Sequence, residues 1–406
     1  MSGHALIAGA GVGGLTAALA LARVGWSVTI LERSRLEKDV GAGLQISPNA
    51  SAILRELDVL PRLGAAALVP GAIRIRRGGD GATVARLPLE GAERRWGAPY
   101  LLAHRGDLQS ALLDAVADAP SIRIETGCAF TDLAVTDHDV IAAALQGTRS
   151  VSFAADCLLG SDGLRSFVRE RLNAADHMPH VARHIAWRAL VKSDRLALEL
   201  RQPESTLWLG AGAHVVHYPL RGGRITNVVA ILGETKAIEA TPDIWAEPGD
   251  PRRIAARFAR WDRRVRELIA AAEEWRIWPL IERPPPSTWS AGRVALIGDA
   301  AHPILPFLAQ GAAQAIEDAA ALAIFLKPGC DIAAALAEFV AARRSRIERV
   351  QRESRLQGLI YHLSSVPAAC RDLAIHALGE RRIIARYDWL YGGKPVANAS
   401  ENRRFA

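Results

Sequence analysis

Three sets of residues have the types and spacing to do chemistry. The first is Gly9-Ala10-Gly11-Val12-Gly13-Gly14, which fits G-x-G-x-x-G with glycines at 9, 11 and 14. In such a turn the first glycine permits the reversal, the second lets backbone approach a pyrophosphate, and the third lets the following helix pack on the preceding strand. The helix N-terminus then faces the phosphate charge. Glu32 follows about twenty residues past Gly11, where a carboxylate binds ribose hydroxyls; an acid rather than an arginine there favours FAD or NAD over NADP. The second set is a pair of carboxylates beside glycines at the ends of apolar runs. Asp162 stands in LLGSDGLRS, and Asp299 in RVALIGDAAHP, which leads through two prolines into a helix. The third set is His214, His217 and Tyr218 in HVVHYPL. On a strand, residues four apart share a face, so His214 and Tyr218 point one way and His217 the other. A His and a Tyr on one face can bind a phenolic oxygen and accept its proton, which makes the ring more electron-rich.

The elements expected to position these residues come in two textures. HALIA at 4–8 reads as a buried strand, 15–24 as an Ala/Leu-rich helix and 26–31 as a second strand, a βαβ unit around the glycine turn. Helices are expected at 49–57, at 107–117 with Asp107 as N-cap, and over most of the chain beyond Gly311. From about Gly71 to Arg86, and from Ile185 to Gly233, β-branched and aromatic residues alternate between glycine pairs, which reads as hairpins of an antiparallel sheet. Pro284-Pro285-Pro286 serves as a stiff connector back to the nucleotide-binding part.

The chain has 406 residues, of which 50 are Lys or Arg and 43 Asp or Glu, for a formal charge of +7. This length predicts two domains or one elaborated α/β domain. The basic excess is scattered, without the clustered charge and interleaved aromatics that nucleic-acid binding requires, so anionic cofactors and an acidic substrate fit better. Cys128, Cys157, Cys330 and Cys370 are too widely spaced for a C-x-x-C motif and read as reduced packing thiols. The glycine-interrupted N-terminal stretch lacks the positive region of an export signal, and no apolar run reaches membrane-spanning length. Both features point to a cytoplasmic protein with no membrane partner. His180, His184, His214 and His217 could be imagined around zinc, but no catalytic Glu motif accompanies them and no metal is expected.

Taken in order, these segments resemble the group A flavoprotein monooxygenases, the single-component FAD-dependent aromatic hydroxylases, in the branch of salicylate and 6-hydroxynicotinate hydroxylases. The resemblance covers nearly the whole chain. Besides the glycine turn and the two Asp segments it includes Glu32-Arg33, GAGLQISPNA at 41–50, HRGDLQSAL at 104–112, HVVHYPLRGG at 214–223, RVQRESRLQGLIYHL at 349–363 and YDWLYG at 387–392. It implies an α/β fold similar to that of p-hydroxybenzoate hydroxylase. A Rossmann-type FAD domain would be assembled from 1–70, 98–175 and 285–330, an inserted β-sheet substrate domain from 71–97 and 176–284, and a helical C-terminal region from 331–406.

The resemblance also implies roles. Gly9, Gly11, Val12, Gly13 and Gly14 would hold the pyrophosphate, Glu32 with Arg33 the adenosine ribose, and Arg105 the pyrophosphate or ribityl region. Asp299 would bind the ribityl chain, the backbone of Gln310, Gly311 and Ala312 would face the flavin pyrimidine, and Asp162 would serve both FAD and a transient NADH or NADPH. The implied reaction reduces FAD with that co-substrate, adds O₂ at flavin C4a and transfers one oxygen to a small hydroxylated aromatic acid. A salicylate-like acid leads, with hydroxynicotinate and 3-hydroxybenzoate types as alternatives; His214 and Tyr218 would activate the phenol. Gln45 and Pro306 stand where two subgroups carry a substrate-contacting His and a catalytic Gln, and Ala309 stands where many members have glycine. Trp187, Trp208 and Leu209 fit equally as walls for a flat ring or as buried sheet residues. A homodimer is allowed. Two other classes remain at this stage: an NAD-dependent dehydrogenase, which would share the glycine turn but has no use for the Asp segments, and a flavin-binding protein that does not hydroxylate.

Overall fold

The computed structural model describes residues 3–36, 42–173, 181–234 and 247–396. His180 and the outermost parts of the expected domain ranges, at 1–2 and 397–406, lie outside the described residues. A six-stranded sheet runs in the order Ser290–Ala291, Val294–Leu296, Cys157–Gly160, His4–Ala8, Ser27–Glu32, Ile122–Thr126, parallel except at its first edge pair. Both faces are covered, which is why HALIA and CLLG are apolar in succession rather than alternating. Helix Val12–Arg23 packs against helix Gly311–Phe325. The Trp26 indole N–H donates to the Leu326 carbonyl at 2.8 Å, tying together residues 300 apart. That closure brings the glycine turn and the Gly298-Asp299 segment to the carboxyl ends of two strands that flank Cys157–Gly160.

The second sheet has eight strands in the order Glu247–Gly249, Trp275–Ile281, Val181–Lys192, Ile225–Gly233, Ala213–Leu220, Glu204–Gly210, Ala72–Arg77, Thr83–Pro88. It is not purely antiparallel, as the alternation suggested. Glu204–Gly210 pairs parallel with Ala72–Arg77, because the latter comes from a distant part of the chain and not through a hairpin. Helices Pro251–Arg257 and Arg263–Ala271 cover one face with Ile254, Val265, Leu268 and Ile269. Trp187 and Trp208 are buried in this covered face, 1% exposed each, so they are core residues and not walls of a ring site. His217 joins them there, accepting from the Trp208 indole at 3.1 Å. Leu209 lies on the other face but within the packed core.

Three further expectations are corrected. The helix expected at 107–117 spans Arg105–Ala117, and its cap is His104, whose Nδ1 accepts from the Gly106 amide at 3.2 Å. Asp107 sits in the first turn and pairs with Arg221 at 2.8 Å. An antiparallel sheet of Cys128–Val135, Val140–Gln146 and Arg149–Ala155 was not anticipated; its middle strand, VIAAALQ, is dominated by alanine, a helix former on propensity alone. All four cysteines are free, but Cys370 is exposed rather than packed. Beyond the sheets, helix Ile332–Tyr361 runs back across the molecule, followed by Ser365–Ala385 and Asp388–Tyr391. Among the described residues no helix is long and apolar enough to cross a membrane.

Candidate active site

The glycine turn owes its shape to close approach. Gly9 has φ of 102°, and a Cβ there would lie 2.5 Å from the Ser161 carbonyl oxygen. A Cβ at Gly14 would lie 2.0 Å from the Gly9 carbonyl oxygen. At Gly11 no atom stands within 4 Å of that position, so its backbone is open to the cleft. Glu32 bolts the turn from the side: one oxygen accepts from the Ala10 amide at 2.7 Å and the other from Ser34 at 2.8 Å. Gly14→Ala therefore has to deform the turn itself, and it is expected to remove bound FAD; visible flavin absorbance per protein in the purified variant checks this.

A cavity of about 400 Å³ begins at Glu32 and Arg33 and continues past Gly9, Gly11, Asp162 and Asp299. A second, of about 330 Å³, shares Gly11, Arg105, Ser161, Gly163 and Asp299 with it and extends past Val12, Gly13, Gly311 and Ala312 to Gln45, Pro306, His214 and Tyr218. The two form one elongated cleft. Its donor set fits a flavin dinucleotide. The Asp162 Oδ1 atom is shielded from solvent yet has no protein partner, although its other oxygen accepts from Val168. Burial pushes the Asp162 carboxyl up, against the pull of nearby hydrogen bonds. Asp299 opens onto the cleft while protein surrounds its other sides; burial raises its carboxyl against His302 and Arg105. Two acids that favour protonation, or a hydroxyl-rich ligand to bind, suit a ribityl chain better than another anion. Helix Gly311–Phe325 points its N-terminus into the cleft with no acid in its first turn, which favours negative charge on a ligand there.

The loop before that helix is held from behind. Gln310 does not line the cleft with its side chain; it is fully buried, its Nε2 donating to Ser47 Oγ at 2.8 Å and its Oε1 accepting from Asn49 and Gln314. Ala309, beside it, adopts left-handed backbone (φ 53°, ψ 40°), the conformation that glycine takes without penalty. Ala309→Gly is expected to stabilise the protein by about 1 kcal/mol, read from the midpoint of urea unfolding.

Behind the loop lies a buried ionic cluster with no local sequence signal. Arg343, Glu317 and Asp318 are fully buried. Arg343 donates to Asp318 Oδ1 at 2.8 Å and to Glu317 Oε2 at 2.7 Å. Asp318 Oδ2 in turn accepts from the Gly298 amide at 2.9 Å and lies 2.6 Å from His302 Nε2. Arg346 completes the Glu317 side at 2.6 Å. Burial alone would raise Asp318, but His302 and Arg343 outweigh it and hold the carboxyl below its usual range.

At its far end the cleft meets a smaller cavity of about 80 Å³ lined by Ile75, Leu87, Leu207, Phe307, Tyr361 and other apolar or aromatic residues. Gln45, His214, Val216, Pro306 and Ala309 border both spaces. An engineered cavity of about 150 Å³ holds benzene, so an aromatic ring here occupies the junction and not the small cavity alone. His214 is 2% exposed, and its Nδ1 lies 2.8 Å from Nε2 of His362. Burial, with His362 and His184 adding to it, pushes His214 well below the ordinary imidazole value.

The structure brings His214 to the junction but separates it from Tyr218. Four residues of strand span about 13 Å, and Tyr218 lies toward Arg188 and Gly43, bordering the larger cavity and not the small one. Burial raises its phenol above the usual value, against Arg188. The strand spacing therefore sets the two apart along the cleft, instead of at one substrate oxygen. His362 was missed because it is brought in by the end of a helix nearly 150 residues away.

A nucleotide cleft of this form, on a parallel sheet joined to a second sheet across a buried aromatic junction, defines a flavin-binding oxidoreductase architecture. A family model described as FAD binding domain matches residues 3–354. The 3-amino-4-hydroxybenzoate 2-monooxygenase of Streptomyces platensis is 36% identical over 388 residues, covering 95% of each chain. The 3-hydroxybenzoate 6-hydroxylase 1 of Aquipseudomonas alcaligenes is 34% identical over 398 residues, 98% of this chain and 99% of its own. A salicylate hydroxylase in complex with substrate shares the fold, with a TM-score of 0.82 over 97% of this chain and 96% of that one at 24% identity. The chain belongs to the family of FAD-dependent aromatic monooxygenases.

Proposed function

We propose that this protein hydroxylates a small hydroxylated aromatic carboxylate, with NADH or NADPH as electron donor and O₂ as oxygen source. The observation that carries this reading is the position of His214, at the one junction that borders both the cleft and the apolar cavity. FAD, when bound, supplies the redox and oxygen-activating chemistry. The residues proposed to hold it are Gly9, Gly11, Val12, Gly13 and Gly14 at the pyrophosphate, Glu32 and Arg33 at the ribose, Arg105, Asp162 and Asp299 along the chain, and the Gln310-Gly311-Ala312 backbone at the ring. His214, uncharged near neutral pH, accepts the phenol proton. Phe307 and the buried tyrosines exclude water from the reacting ring.

Among the described residues no Lys or Arg lines the small cavity, so neutral donors are proposed to hold a carboxylate there. Gln45 is the proposed centre of that set: its Oε1 accepts from Tyr100 at 2.8 Å, which leaves its amide N–H groups for the ligand. Pro306 sets the wall opposite. Salicylate is the leading substrate type, and 3-hydroxybenzoate, 3-amino-4-hydroxybenzoate and 6-hydroxynicotinate are the alternatives that the relatives' names suggest. The deciding experiment measures NADH and NADPH oxidation by the FAD-loaded protein with each of these four acids, alongside peroxide formation and product analysis. One acid is expected to accelerate oxidation and to appear as a hydroxylated product. A yellow protein that no phenol stimulates would identify a flavoprotein of another activity, and a colourless one would remove the reading altogether.

We also propose a cytoplasmic homodimer. Leu356, Leu359, Val366 and Leu373 are exposed large apolar residues on the two consecutive C-terminal helices, a face suited to a second copy. Light scattering of the purified protein tests the assembly.

A further inference from the structure

His214 is buried, 2% exposed. Its ring contacts those of Phe307 and Tyr361, with centroids 5.6 Å and 5.2 Å away. Among the described residues its side-chain hydrogen-bond partner is the His362 ring. His362 terminates helix Ile332–Tyr361 and is partly exposed, so it reaches from the junction to the surface. Its carbonyl accepts from the Gly212 amide at 3.1 Å, which fixes the residue against the strand that carries His214. The titratable and charged groups facing it are His214, His184 and Arg257. Phe307 packs on all three imidazoles, at 5.4 Å from His184, 5.6 Å from His214 and 6.0 Å from His362.

Only one of two neutral imidazoles can donate across a single hydrogen bond. If His214 Nδ1–H donates, its Nε2 carries a free lone pair, which a base needs. The opposite tautomer puts a hydrogen on Nε2 and makes His214 unable to accept. The function of His214 therefore selects His362 Nε2 as the acceptor.

We propose that His362 is the proton outlet of the active site, passing to solvent the proton that His214 takes from the substrate. The inference rests on His214 being the base. The phenol O–H bond breaks and an N–H bond forms at His214 Nε2. The hydrogen on His214 Nδ1 moves to His362 Nε2, and the hydrogen on His362 Nδ1 goes to water. Both rings end neutral with their tautomers exchanged. When the product phenol takes a proton back, the chain runs in reverse and the starting tautomers return. No net charge rests on the buried His214 at any stage, which suits a ring that burial disfavours as a cation.

The test uses FAD-loaded enzyme and whichever of the four acids above stimulates NADH oxidation most. Rapid mixing follows the phenolate band of the bound acid and proton release to phenol red in weak buffer. His362→Phe removes the relay, and His362→Gln keeps a hydrogen-bond acceptor for His214 Nδ1–H but cannot pass a proton. Both are expected to slow phenolate formation and proton release together by about 10²-fold, with little change in affinity for the acid. Added imidazole is expected to restore the rate in His362→Ala and not in His362→Phe. Wild-type rates in His362→Phe, or in His362→Gln alone, would overturn the relay and leave His362 a residue that only orients His214. His214→Ala distinguishes the two levels: if it too forms phenolate at the wild-type rate, the base assignment has failed and the relay with it.

Discussion

Replacing His214 by Ala is expected to lower kcat by about 10²–10⁴-fold, with KM changed far less. Deprotonation of the phenol is what makes the ring electron-rich enough to react, and the cleft offers no substitute base at the junction. Tyr218 is displaced along the strand and its phenol is held protonated by burial. The acids of the cleft, Glu32, Asp162 and Asp299, do not line the small cavity that His214 borders. A useful signature separates this from general damage. Phenols made more acidic by electron-withdrawing groups need less help, so the variant is expected to lose less activity on them than on the parent acid.

The pH dependence follows from the same burial. The folded-state value of His214 lies well below that of a free imidazole, so the base is fully available at neutral pH and is lost only as pH falls through that depressed value. The acid limb of kcat is therefore expected to lie clearly below pH 6.5, the ordinary histidine value. An acid limb at or above that value, carried by His214, would contradict the burial argument. His362 is pulled to about 4, by burial first and then by His184 and Arg257, so it stays neutral over the same range.

How much of this could be read from residues in order depends on how local the cause is. The glycine turn declared itself because three glycines, a strand and a helix are neighbours in sequence. Gly298-Asp299 did so because an apolar run stops at it. Strand periodicity placed His214 on the correct face, and it placed His217 on the other. It could not say how far along a face two residues may lie and still share a ligand atom, and so it overjoined Tyr218 to His214. Whether the tryptophans wall a ring site or fill a core is left open by the sequence for a related reason. Alternation identifies two faces but not which one a later pair of helices covers. Arg343 and His362 carried no local signal of what they touch. One lies within and the other caps a long Ala, Arg and Glu-rich helix where a solvated side chain is the ordinary expectation, and only the packing of that helix turns one into a buried ion partner and the other into a histidine pair.

That buried partner carries the second large effect. Arg343→Met is expected to destabilise the protein by about 3–5 kcal/mol. Methionine fills much of the volume, so the loss is chiefly electrostatic: two fully buried carboxylates, Glu317 and Asp318, lose a guanidinium at 2.7 Å and 2.8 Å. Arg346 still neutralises Glu317 in part, whereas Asp318 keeps only His302 and the Gly298 amide. The sign of the pH effect is fixed by the lowered value of Asp318. A carboxyl depressed on folding stabilises above its unfolded value, near 3.9, and that stabilisation fades as pH falls through the folded value. The deficit of Arg343→Met is thus expected to be largest at neutral pH and to shrink in acid, where a protonated Asp318 no longer needs a cation. Urea unfolding at two pH values measures it. Because Asp318 holds both Gly298 and His302, the residues on either side of Asp299, the folded fraction of the variant is also expected to bind FAD more weakly. A variant that lost stability but kept wild-type flavin affinity would show that the ionic cluster braces the C-terminal helix and not the flavin loop.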